Sequence, residues 1–311
     1  MKRRAIAMLF LTTMLWGLSF VTMRAMGMIQ SHAAPGIDSL PLASITVTMR
    51  YALAALVVLL IWRGRGGLTR KEITQGAGLG IFHGLGLFLQ TDGLAHTSAS
   101  VSAFLTQGYC ILLPLYFAIL TRTRPDNRTI ISVIIMMTGI ALLANIDWRT
   151  LRIGRGELET LLCSILFAAQ ILWLERPVYR GNRYQPVTLI MFATVALVLL
   201  PVILAQAPGL ALIANVLAPP SIWFLMTILV LFCTVAANLL MNRWQQHVTA
   251  TEAGLIYGTE PVYACLIALF APSFISGFCG IEYPSEHLTQ NLLIGGGLIF
   301  AANVFMQWKR D

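Results

Sequence analysis

The decapeptide YGTEPVYACL, residues 257–266, sets Glu260 against Pro261 inside an otherwise apolar run. A carboxylate in such surroundings can do two kinds of chemistry. Left unpaired, it is driven toward its protonated form by desolvation, and it can hold a proton in one state and release it in another; paired with a cation, it stays charged and the pair acts as a lock or a gate. Arg50, buried in an equally apolar run, is the cation that could pair with it. His83 is a third titratable group of this kind, serving either as a satisfied interior histidine or as a proton or substrate site. Pro261 removes a helical hydrogen bond and frees the carbonyl of Tyr257, a break tolerated in hydrocarbon where it lines a cavity.

Other chemistries find no support. The five histidines, at 32, 83, 96, 247 and 287, are dispersed, and there is no H-E-x-x-H, no paired metal-ligand spacing and no serine-hydrolase pattern. No enzyme, metal or cofactor is therefore expected. The five cysteines are scattered, with Cys110, Cys163, Cys233 and Cys265 in apolar runs and Cys279 outside them, and imply no disulfide framework. The glycine-rich GAGLGIFHGLG, residues 76–86, follows no strand, so it reads as close helix packing through Gly80 and Gly84 rather than as a nucleotide loop. The glycines of IGGGL, residues 294–298, read the same way.

The elements that hold these groups must cross a membrane. The chain is 57% hydrophobic and 11% charged, with a mean hydropathy of +0.76, far from the quarter charged residues or so of soluble chains. Spans of about 20 apolar residues fall at Ala5–Met28, Leu42–Trp62, Gly76–Leu94, Ser98–Leu120, Thr129–Asn145, Leu158–Leu174, Pro186–Leu204, Ile222–Met241, Ala253–Ala271 and Asn291–Trp308. The expected fold class is all-α, a polytopic membrane protein of ten helices. A secretory signal at MKRR with cleavage near Ser31-His32-Ala33 is the rival reading of the first span, which is too long for a signal core and contains Trp16 and Arg24.

Basic residues set the orientation. Sixteen of the 21 lie in one set of alternate loops and ends, against Arg24, Arg149, Arg152 and Arg155 in the other, which puts both termini in the cytoplasm. The run WRTLRIGR between helices 5 and 6 departs from this rule. The net charge of +8 is thus an orientation signal, and no nucleic-acid partner is expected; the partners are membrane lipid and a small-molecule substrate, with the oligomeric state open.

The two halves resemble each other. An offset of 151 aligns Thr13, Leu15, Trp16, Gly17 and Phe20 with Ser164, Leu166, Phe167, Ala168 and Ile171, and an offset of 152 aligns HTSASVSAFLTQGYCI with VTATEAGLIYGTEPVY, chiefly in its small-residue pattern. Five helices per half force opposite orientations, giving inverted repeats over residues 1–148 and 149–311 around a midplane site.

The helix 1 motif LWGLSF, Arg50 in helix 2, the TSAS start of helix 4 and TATEAGLIYGTEPV in helix 9 together resemble the EamA-type transporters of the drug/metabolite transporter superfamily. The resemblance covers essentially the whole chain. It implies a ten-helix carrier in the inner (plasma) membrane of a bacterial cell, usually an exporter of small metabolites or drugs, with a cavity lined mainly by helices 1, 3, 4, 6, 8 and 9. The insertion ISGFCGIEYPSEH departs from the family pattern after helix 9 and changes the outer loop, residues 274–287.

Polar residues at helical spacing mark the same cavity from the residues themselves, because polar groups in hydrocarbon face the bundle interior or a water path. Trp16, Ser19, His83, Gln90, Gln107, Gln170, Asn238, Tyr257, Glu260 and Tyr263 form the expected lining, with Glu260 and Arg50 as the proton-coupling site or ion pair. The mixture of aromatic and polar groups suits an amphiphilic molecule such as an amino acid or derivative, a nucleoside, an aromatic compound or a drug. The expected function is secondary transport by alternating access, with a passive facilitator, exchanger or channel as the alternative.

Overall fold

The computed structural model describes residues 1–307 other than 65, 98, 147, 148, 150–152, 207 and 208. Half of the WRTLRIGR loop (Trp148, Thr150, Leu151 and Arg152), Ser98 of TSAS and Trp308 therefore lie outside the described residues. Every element within them is helical. In chain order these are α1 (Lys2–Ala33), α2 (Ser39–Trp62), α3 (Arg70–His96), α4 (Ala99–Thr106), α5 (Tyr109–Thr121), α6 (Asn127–Leu143), α7 (Arg155–Glu175) and α8 (Tyr184–Gln206). There follow α9 (Gly209–Leu217), α10 (Pro220–Ile228), a π-helical stretch (Leu229–Ala236), α11 (Ala237–Trp244), α12 (Ala250–Tyr257), α13 (Glu260–Ala268), α14 (Ala271–Cys279) and α15 (Gln290–Gln307).

Among the described residues, six helices are long and apolar enough to cross a membrane, and a seventh is if Ala250–Ala268 and Ala271–Cys279, bent by 58°, count as one span. The chain is thus a multi-pass, all-helical membrane protein. The expectation of ten spans is met only in that coarser form, and the reason is compositional. α6, an apolar helix of only 17 residues, stops short of the length required. Polar and glycine residues dilute the hydropathy of α3, through Glu72, Gln75, Gln90 and Asp92, and of α15, through Asn291 and Asn303.

Three of the helices expected to be continuous are interrupted. The fourth breaks at Gln107–Gly108 and the ninth at Gly258–Thr259, while the eighth relaxes into the π-helical stretch, where Thr234 Oγ1 donates to the carbonyl of Leu229 five residues back at 2.8 Å. Such π segments recur at functional sites. At the ninth helix, Pro261 sits in the first turn of α13, as its missing N–H permits. Thr259 closes the break: its N–H and its hydroxyl both donate to Ile256 O, at 3.0 and 2.6 Å. The unusual loop after helix 9 begins as α14 and folds back on itself, with Ser276 Oγ bonded to both the carbonyl and the amide of Tyr283 and the Glu286 amide donating to Ala268 O at 2.9 Å.

Close backbone approach joins the helices. Gly76 and Gly80 meet α8 so tightly that a Cβ would lie 2.6 and 2.5 Å from Ile190 and Thr194, whereas Gly84 leaves 3.3 Å to Val195. Of the IGGGL glycines, Gly295 packs on Gly139 of α6, while Gly297 faces open space. A Cβ on Gly139 would stand 2.8 Å from the carbonyl oxygen of Gly295, a backbone atom that cannot swing aside. Gly139→Val is therefore expected to destabilise the protein by about 2–3 kcal/mol through overpacking, against a negligible effect for Gly297→Val. Thermal unfolding of the two variants in the same detergent checks this.

Candidate functional site

The site begins where α1, α2, α3, α5, α7, α11, α12 and α13 line a cavity of ≈ 100 Å³, room for on the order of eight water molecules. It brings together Trp16, Ser19, Arg50, His83, Gln90, Gln170, Tyr257 and Glu260 from the expected set. Gln107, Asn238 and Tyr263 are not part of its wall. Gln107 is buried at the α4–α5 break, Asn238 turns its Nδ2 back onto Thr234 O at 2.9 Å, and Tyr263 packs edge-on against Phe300. The reason is rotational: interruption of the fourth, eighth and ninth helices shifts these positions off the stripe that an unbroken 3.6-residue helix would give them.

Sequence reasoning left out Phe20, Met23, Tyr51, Leu87, Tyr109, Ile171 and Met241, which also line the cavity. Apolar and aromatic side chains in a span carry no mark that separates a cavity wall from ordinary packing. Tyr51 did carry a signal, its position next to Arg50. Both come from α2, a helix outside the set expected to line the cavity.

Tyr51, His83 and Gln170 form a buried chain of hydrogen bonds. The hydroxyl of Tyr51 bonds His83 Nε2, and His83 Nδ1 lies 2.9 Å from Gln170 Oε1. A carbonyl oxygen only accepts, so Nδ1 carries the proton and Nε2 accepts from Tyr51. Both ring nitrogens are thereby occupied.

Arg50 is 3% exposed and is held by α1 and the π-helical stretch. Its Nε donates to Thr234 Oγ1 at 2.6 Å, Nη2 to the carbonyl of Cys233 at 3.4 Å, and Nη1 meets the weak acceptor Met23 Sδ at 3.3 Å. The guanidinium also lies 5.6 Å from the ring centroid of Tyr51. The ion pair considered between Arg50 and Glu260 is not formed. The ion pairs among the described residues are Lys2–Glu252, Arg155–Asp92, Arg155–Glu159 and Arg183–Glu72. Glu260, at the first position of α13, faces the cavity with no hydrogen-bond or ionic partner among the described residues.

Ion pairs tie the helices together on either side of the cavity. Toward the face that carries Lys2, the guanidinium of Arg183 grips Glu72, ahead of the apolar stretch of α3, and holds its carboxyl well below the usual carboxylate range. Toward the other face, Arg155 bridges to the fully buried Asp92, which Ser39 Oγ also contacts at 2.8 Å, and Gly93 and Gly156 pack backbone to backbone.

Comparison with known proteins agrees with this architecture. The model of the EamA-like transporter family matches residues 3–145. A protein from Archaeoglobus fulgidus described as an uncharacterized transporter is 24% identical over 262 residues, covering 84% of this chain and 76% of the relative. A solved crystal structure covers 99% of this chain and 97% of its own with a TM-score of 0.67 at 16% identity, a likeness of fold.

Proposed function

We propose that this chain, whose residues 3–145 match the EamA-like transporter family, is a secondary transporter exporting a small amphiphilic metabolite by alternating access. The observation that carries the proposal is the central cavity itself, aromatic in its walls and holding two ionisable groups, Arg50 and Glu260, that do not neutralise each other. A solute with an apolar or aromatic body and charged or polar groups satisfies both features. A bare ion does not need such walls.

Alternating access requires two halves that can exchange roles, and the proposed repeats are residues 1–148 and 149–311. Helix pairing supports them. α1 runs parallel to α12 and α13, with contacts Lys2–Glu252, Thr13–Thr259 and Gly17–Tyr263. In the same sense α7 runs parallel to α4 and α5, with Ser102–Thr160 and Gly108–Ser164. The fourth helix of each half breaks within one residue of the equivalent position: at the offset of 152, Gln107–Gly108 maps to Thr259–Glu260, next to the observed break at Gly258–Thr259.

In this reading the face with Lys2, Arg63 and Arg124 is cytoplasmic, and the membrane is the inner membrane of a bacterial cell. Cysteines placed at the exposed positions Arg124 and Glu282 are expected to be labelled by an impermeant reagent from the cytoplasm and from outside, respectively. Labelling of both from one side would reject the topology. Function is tested by comparing metabolites released by cells with and without the protein, then loading the enriched compound into proteoliposomes. Saturable flux with counterflow is the expected result; conduction without counterflow would indicate a channel.

A further inference from the structure

We infer that Gln245 and Tyr257 are the gate between the central cavity and a second, cytoplasm-facing vestibule, so that breaking their hydrogen bond is the step that admits solute. The inference rests on the transporter reading for its purpose, though not for its geometry.

The vestibule is a separate opening of ≈ 500 Å³ lined by Lys2, Glu175, Asn242, Gln246, Thr249 and Glu252. Three elements contribute to both spaces within a short rise. On α7, Ile171 faces the cavity and Leu174 the vestibule; on α11, Met241 and Asn242 do so; on α12, Tyr257 and Glu252. At 1.5 Å per residue, the partition along α7 and α12 is only ~4.5 to ~7.5 Å thick.

One side chain bridges that partition. Gln245, 1% exposed, begins a short 3₁₀ turn (Gln245–His247) between α11 and α12. Its Oε1 accepts from the Tyr257 hydroxyl at 2.9 Å and its Nε2 donates to the carbonyl of Ile171 at 2.9 Å, which ties α12 to α7 across the passage. Tyr257 is also braced on its cavity side by Trp16, ring centroids 5.2 Å apart. Removing the Gln245 contacts frees the Tyr257 ring to turn and joins the two spaces.

The partition itself is tied by two neutral hydrogen bonds, a weaker kind of tie than a charge-assisted one, while ion pairs hold the helices nearer each face, Arg183–Glu72 on the Lys2 side and Arg155–Asp92 on the other.

The experiment reads the rate at which a membrane-impermeant thiol reagent reaches Ser19→Cys, a cavity position, from each face of sealed vesicles, relative to the parent chain with its own cysteines. Gln245→Ala and Tyr257→Phe are each expected to raise the rate from the Lys2 face by about five- to ten-fold, the factor that losing one or two neutral hydrogen bonds supplies, and to leave the rate from the opposite face unchanged. Should Gln245→Ala fail to fold, Tyr257→Phe removes a single oxygen and carries the test alone. No rise in a folded variant, or an equal rise from both faces, overturns the gate. Labelling needs no transport, so a one-sided rise without solute flux keeps the gate and rejects the transporter reading, while flux without a rise does the reverse.

Discussion

Glu260→Gln is expected to abolish acceleration of transport by an opposing proton gradient in proteoliposomes while leaving substrate counterflow measurable. In the proposed secondary-transport reading the energy source is an ion gradient or the solute's own. Glu260 suits the role on three grounds. It faces the cavity, it has no partner among the described residues, and it heads α13 directly after a break in the backbone. His83 is the weaker candidate, because Tyr51 and Gln170 occupy both of its ring nitrogens and a proton could leave only by breaking that chain. Gln preserves shape and hydrogen bonding but cannot exchange a proton. One pH unit across the membrane is worth about 1.4 kcal/mol per proton, so a one-to-one exchanger can hold up to about a ten-fold solute ratio that the variant should lose. A wild type indifferent to the gradient would make the protein a facilitator or exchanger and return Glu260 to substrate binding or structure. A fully driven Glu260→Gln would move the proton site elsewhere, with His83→Gln the next substitution.

Arg50→Ala is expected to lower stability by about 2–4 kcal/mol and to abolish transport. The loss removes the bond to Thr234, the contact with Cys233 O and the packing over Tyr51, which together fasten α2 to the π-helical stretch. Hydrogen bonds to a charged group contribute about 1.5–3 kcal/mol each, and relief from burying the cation offsets part of that. Arg50→Lys should recover only a fraction, since a point charge cannot reproduce a fork aimed at a hydroxyl and a carbonyl. Arg24→Ala is the control: Arg24 is exposed and lies 5.9 Å from the ring of Tyr283, a contact worth less than about 1 kcal/mol. Thermal unfolding of purified variants gives the comparison. Because Arg50 and Glu260 form no ion pair, their alanine substitutions should be additive in stability to within about 0.5 kcal/mol. A coupling well above that would show that the two groups meet in another state of the cycle.

The membrane class and the placing of Glu260, Arg50 and His83 inside apolar helices were legible in the residues alone. Their physical basis is local: a long apolar run has no stable alternative to a spanning helix, and an ionisable group inside one is costly wherever the chain puts it. The tight glycine approaches of the 76–86 segment were legible for the same kind of reason, although Gly84 proved looser than Gly80.

Tertiary structure decided the rest. Whether Arg50 meets Glu260 or Thr234 depends on how α2 sits against a helix 184 residues away, and no spacing along the chain encodes that distance. Gln107, Asn238 and Tyr263 were placed on the cavity wall by a helical period that the breaks at Gln107–Gly108 and Gly258–Thr259 and the π-helical turn at Leu229–Ala236 interrupt. Gln245 was invisible for a different reason: a glutamine just past an apolar run reads as an interfacial residue until folding sets it between Tyr257 and the carbonyl of Ile171. Sequence fixes what a side chain can donate or accept, because that is covalent. Which partner it finds is a property of packed helices, because a bond of about 3 Å depends on rotations and breaks that only the whole bundle sets.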